Sequence, residues 1–149
     1  MGQKLRIGVH LGDGPPPGFK WSVIFVSFVR DEAMKFLSEP QYQHLVEQFW
    51  QLASQDDPRR SDVVSVDAIE NFHELRDKGG ILGGLNVRIF YYVDDAIRAI
   101  VVIGAALKQN DGPTPQAVKI RMRLRLRAYL SGDYGQAKIN LRKATTKRN

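Results

Sequence analysis

The chain has 149 residues, 43% of them hydrophobic, with a formal net charge of +6. That is enough chain for one domain with a sizeable core. The lack of cysteine excludes disulfides and thiolate metal sites, and no run of about 18 apolar residues is present to span a membrane as a helix. The charge is unevenly placed. Residues 1–118 hold 12 Lys and Arg against 15 Asp and Glu, a net of −3, whereas residues 119–149 hold 10 against one, a net of +9. Such a patch suits nucleic acid, an acidic protein surface or an anionic membrane, or it is simply a solvated tail. The opening Met-Gly-Gln-Lys-Leu-Arg has no long apolar run or cleavage pattern, and Arg6 stands where a myristoylation signal wants Ser or Thr. A cytoplasmic protein is expected.

Residues 1–19 read as a flexible extension, because the cluster from Gly12 to Gly18 breaks regular structure. A short strand over Lys4–His10 has no support, and His10 reads as an exposed tail residue. Trp21–Val29 is predicted to be a strand, apolar on both faces, and Asp31 then caps a short helix through Leu37. Ser38-Glu39-Pro40-Gln41 has the form of a helix start, with Ser38 as cap, Gln41 answering it and proline in the first turn. The apolar positions that follow (Tyr42, Leu45, Val46, Phe49, Trp50 and Ala53) mark one buried face. His44 falls off that face and is expected in solvent.

After a polar loop over Gln55–Asp62, Asn71–Asp77 alternates as a strand. The glycines that follow do not form a phosphate loop. Gly79 and Gly84 have the spacing, but Leu85 and Asn86 stand where Lys and Ser or Thr are needed. Val87–Val93 and Ile97–Leu107, broken by Asp94-Asp95, read as a hairpin in the middle of a sheet covered on both faces. Arg88 lies inside its first strand. Either it pairs with a carboxylate, Glu74 or Asp94, or its face of the sheet is open to an anion. Arg98 is near enough to the turn to reach water. Thr114 and Pro115 then open a helix over Pro115–Leu130 as cap and first residue. Lys119–Arg127 alternates like a strand, but Leu, Met, Arg, Lys and Ala favour helix. On that helix the arginines fall between two apolar stripes, which suits contact with both the chain's own core and a partner. Residues 135–149 are expected to be a disordered basic tail.

The order of elements and the words that carry them resemble the RelE/ParE superfamily of type II toxin–antitoxin toxins, most closely its phage-derived HigB-like branch. The carrying segments are Phe72-His73-Glu74-Leu75-Arg76, Val87-Arg88-Ile89-Phe90-Tyr91-Tyr92-Val93, Ile100-Val101-Val102-Ile103-Gly104 and the Lys108–Pro115 connection with its basic helix. The resemblance covers about Trp21 to Tyr134 and implies an α+β fold. A small, mainly antiparallel sheet would be packed by two N-terminal helices, with a basic helix at the C-terminal side, in a domain over residues 20–134.

It further implies the toxin of a type II pair, a ribosome-dependent mRNA endoribonuclease that inhibits translation and needs no metal or other cofactor. Its partners would be a cognate antitoxin, mRNA and the ribosome, with no membrane. In that chemistry a ribose 2′-OH attacks the adjacent phosphate, and cations stabilise the charge that develops. The residues that match are Arg88, then Arg76 and Lys108, with Lys119, Arg121, Arg123, Arg125 and Arg127 as RNA contacts. His73 has a fitting intrinsic pKa for a base but would point away from Arg76. Tyr91 and Tyr92 could stack on bases or pack in the core. The aromatic or histidine acid–base that some RNA-cutting members carry near the C-terminus is not recognisable. The alternatives are a ParE-like gyrase poison and a non-catalytic basic binding module.

Overall fold

The computed structural model describes residues 15–77, 80–108 and 112–134. The elements are β1 (Ser22–Phe25), α1 (Phe28–Ala33), α2 (Glu39–Ala53), β2 (Val66–Ala68), β3 (His73–Asp77), a 3-10 turn (Gly80–Leu82), β4 (Val87–Asp94), β5 (Ala99–Leu107) and α3 (Gln116–Leu130). One five-stranded sheet has the order β1-β5-β4-β3-β2. Only β1 is parallel to its neighbour; the other pairings are antiparallel. This is the expected α+β arrangement. The predicted hairpin is β4–β5, at the sheet's centre and buried along most of its length.

Strand alternation assigns the faces. Phe49 of α2 meets Tyr91 edge-on, with ring centroids 5.5 Å apart, so α2 covers the face carrying Leu75, Ile89 and Tyr91. Tyr129 of α3 lies 6.2 Å from Tyr92 and donates to Asp94 at 2.8 Å, so α3 covers the opposite face, with Glu74, Arg76 and Arg88. A register shift between Phe90 and Tyr91 puts Gly104 opposite Phe90. There the side chain of Met122 takes the space a β-carbon would need, and Arg125 Nη1 would lie only 2.7 Å from that carbon.

α2 forms as read. The Ser38 hydroxyl accepts from the Gln41 amide, the Gln41 side chain accepts from the Ser38 amide, and all six residues of the predicted face are buried. His44, expected in solvent, is instead half-buried and bonded to Asp77 at 2.8 Å, because the end of β3 passes beside α2. The Trp21–Val29 strand is shorter than expected. β1 stops at Phe25 and α1 begins at Phe28, so one buried apolar run serves a strand and then a helix. Asp31 lies in the first turn of α1 and does not cap it, and the helix ends at Ala33. α3 confirms helix over strand for the alternating segment, but Pro115 is at its N-cap and Thr114 bonds Glu74 rather than the helix.

Residues 1–14 and 135–149 lie outside the described residues, and with them most of the extension read over residues 1–19, His10 and the basic tail. So does Gly79 of the glycine-rich connection. The chain is already packed at Phe19, whose ring meets Trp50 at 4.8 Å. Among the described residues no helix is long and apolar enough to cross a membrane.

Candidate nucleic-acid interface

Antiparallel pairing sets Arg76 opposite Arg88 on the face that α3 covers. Two arginines directly opposed repel unless each has its own counter-charge. Each has one. Arg88 Nη1 donates to Glu74 Oε2 at 2.7 Å, with both side chains almost fully buried. Glu74 Oε1 accepts from the Thr114 hydroxyl, also at 2.7 Å, so one carboxylate ties β4 to the loop that leads into α3. Arg76 Nη2 pairs with Asp67 Oδ2 at 2.8 Å near the surface, where the two side chains are 39% and 51% exposed.

These groups line a recess of about 400 Å³ between the β2–β3 edge and the start of α3, with Lys119 on its helix side. Its charged lining is Arg76, Arg88 and Lys119 against Asp67 and Glu74. Glu74 is committed to two buried donors, and Asp67 remains accessible. A ligand anion would therefore meet Lys119 and Arg76 first and would reach Arg88 only by displacing Glu74.

Lys108, the third expected cation, does not line this recess. Its ammonium donates to the carbonyls of Gly112 and Pro113, the latter at 2.8 Å, and it borders an adjoining, largely apolar recess of about 410 Å³. Its observed contacts hold the wall shared by the two recesses.

The basic residues of α3 divide by partner. Arg123 forms a two-pronged pair with Glu70, at 2.9 and 2.6 Å. Arg125 turns inward, pairing with Glu32 through two bonds of 2.8 Å, donating to the Ile103 carbonyl at 2.9 Å and lying over the Phe28 ring. Glu32 also accepts from the Ala105 amide at 2.9 Å. This pair thus satisfies the edge of β5 beyond the end of β1. Burial alone would push the Glu32 carboxyl up; Arg125 and the Ala105 amide outweigh it and hold it below its usual value. Arg121 and Arg127 point into solvent. Between them on the outer face Ile120 is 44% and Leu124 54% exposed, the second apolar stripe expected of this helix.

His73 points to the other face, tilted over Tyr91 at 5.6 Å. Burial, and then the charge of Arg59, lower its pKa below the ordinary histidine value. Tyr91 is fully buried and donates to the Pro58 carbonyl at 2.7 Å, so it is core rather than a stacking platform. Asp67, Glu70 and Glu32 were not singled out in sequence, and Thr114 was read there only as a helix cap. Only spatial partnership marks them, and it joins segments far apart in the chain. Among the described residues no group of three or more His, Asp or Glu side chains is gathered so as to hold a metal.

No protein-family model matches the chain, and no curated protein matches it. Among solved structures, the chain is similar to one from the toxin–antitoxin complex RelBE2 of Mycobacterium tuberculosis, with 20% identity and a TM-score of 0.41 over 60% of this chain and 93% of that one. A likeness of that degree says nothing about the chemistry of the recess.

Proposed function

We propose that the chain is the toxin of a toxin–antitoxin pair and acts as a ribosome-dependent mRNA endoribonuclease of the HigB-like kind. The observation that carries this reading is the recess where Arg76, Arg88 and Lys119 converge, in the segments whose order resembles the RelE/ParE superfamily. Cleavage by a 2′-OH needs positive charge around a phosphate that becomes more negative in the transition state. Arg76 and Lys119 supply it at the mouth. Arg88, paired with Glu74 on the floor, adds its charge only where the phosphate displaces that carboxylate, and Lys108 holds the Gly112–Pro113 wall in place. The outward Arg121 and Arg127 serve the RNA backbone. The exposed Ile120 and Leu124 between them favour a protein partner as well, which fits an antitoxin.

The test is cell-free translation of a reporter message followed by primer extension, with the protein, without it, and with Arg76→Ala or Lys119→Ala variants. Cleavage confined to translated message and reduced by both variants is the expected result. Intact message with normal translation would remove the ribonuclease reading, and loss of gyrase supercoiling in a parallel assay would favour the ParE-like alternative.

A further inference from the structure

The adjoining recess has a different lining from the cationic one. Phe90 forms its floor, Ala106 and Leu107 of β5 one side, and Pro113, Pro115 and Val118 the other. The two recesses share Pro113 and Thr114 as a common wall. A ligand that fills both must carry an anionic group next to an apolar one. The volume, about 410 Å³, is in the ordinary range for small-ligand sites.

We propose that this apolar recess is a nucleobase subsite: it takes one unstacked base of a single-stranded RNA whose adjacent phosphate lies at Arg76 and Lys119. The inference rests on the RNA-binding reading above and adds where a base sits. Unstacked bases present apolar faces that pack well on proline rings and aliphatic side chains, whereas a paired base does not leave its stack without cost. The recess places few polar groups, since Thr114 already donates to Glu74 and Lys108 to two carbonyls. The subsite therefore selects for an unpaired base more than for a particular one.

The test compares a short single-stranded RNA with an abasic oligonucleotide of equal length and phosphate number, by fluorescence anisotropy at one salt concentration. The RNA is expected to bind about ten-fold more tightly. Val118→Phe and Ala106→Ile, each filling the recess, should abolish that preference and leave abasic binding unchanged; circular dichroism confirms that each is folded. Equal binding of the two probes, or filled variants that keep the preference, would overturn the subsite and leave the phosphate reading standing. Binding of neither probe would overturn the subsite and leave the ribosome-dependent reading to the cleavage assay above.

Discussion

Arg88 and Glu74 are diagonal neighbours on adjacent strands, joined at 2.7 Å with side chains only 3% and 4% exposed. A buried ion pair contributes little net stability, but losing one partner leaves the other charged and desolvated. Arg88→Ala is therefore expected to cost about 3–5 kcal/mol, read as a lower urea midpoint. The double change Arg88→Met with Glu74→Leu should recover much of that loss. If Arg88→Ala is as stable as the parent, the pair does not hold the sheet together. Because Arg88→Ala is expected to lose stability, any loss of function in it has to be separated from unfolding, which is why Arg76 and Lys119 are the better probes of the recess.

Gly104→Ala should destabilise the fold, because the new β-carbon would meet Met122 and Arg125, packed against the strand. Overpacking of this kind costs about 1–3 kcal/mol. The companion change Met122→Ala should make the alanine better tolerated, and a thermal melt of both variants reads the coupling. Additive losses would show that Met122 is not the obstacle.

Where the determinants are local, the fold was legible from sequence. The Ser38–Gln41 box, the six-residue face of α2 and the apolar hairpin each depend on residues a few positions apart. The β1–α1 boundary was not, because a short buried run has no period that separates strand from helix. The candidate site was legible as cations and obscure as geometry. Whether Arg88 pairs with Glu74 or Asp94 is set by register, not by spacing in the chain. Arg123 and Arg125 find their carboxylates 53 and 93 residues away, so a helix that reads as uniformly basic has already used two of its arginines to hold the fold.

Acidification should weaken the fold through His73. Its pKa is lowered in the folded protein by burial first and by Arg59 second, from an ordinary value of 6.5. The unfolded chain therefore takes up a proton more readily. This contribution to stability is present above pH 6.5 and is lost as pH falls through the lowered folded value. His73→Gln should flatten that part of the stability profile measured by urea unfolding. An unchanged slope would place the pH dependence in other groups, among them Glu32, whose lowered pKa acts below the ordinary value of 4.5.

The division among the α3 arginines leads to opposite outcomes on one helix. Arg125→Ala removes the bonds to Glu32 and Ile103 and leaves the β5 edge beyond β1 poorly satisfied. Hydrogen bonds involving charged groups contribute about 1.5–3 kcal/mol each in mutational series. With partial exposure and relaxation, a net loss of about 2 kcal/mol is expected, seen as a lower melting temperature. Arg121→Ala and Arg127→Ala remove side chains that point into solvent and should leave the melt unchanged within about 0.5 kcal/mol. If the outer face follows an RNA backbone, these two changes should instead weaken RNA binding. Each should also reduce the slope of log affinity against log salt by about 0.7, the counterion release of one phosphate contact on a single strand. Arg123 lies between the two cases, since RNA must compete with Glu70 for it. Glu70→Gln should accordingly strengthen RNA binding and steepen the salt dependence. A salt slope indifferent to Arg121, Arg127 and Glu70 alike would move the interface off this helix and confine nucleic-acid contact to the recess at Arg76 and Lys119.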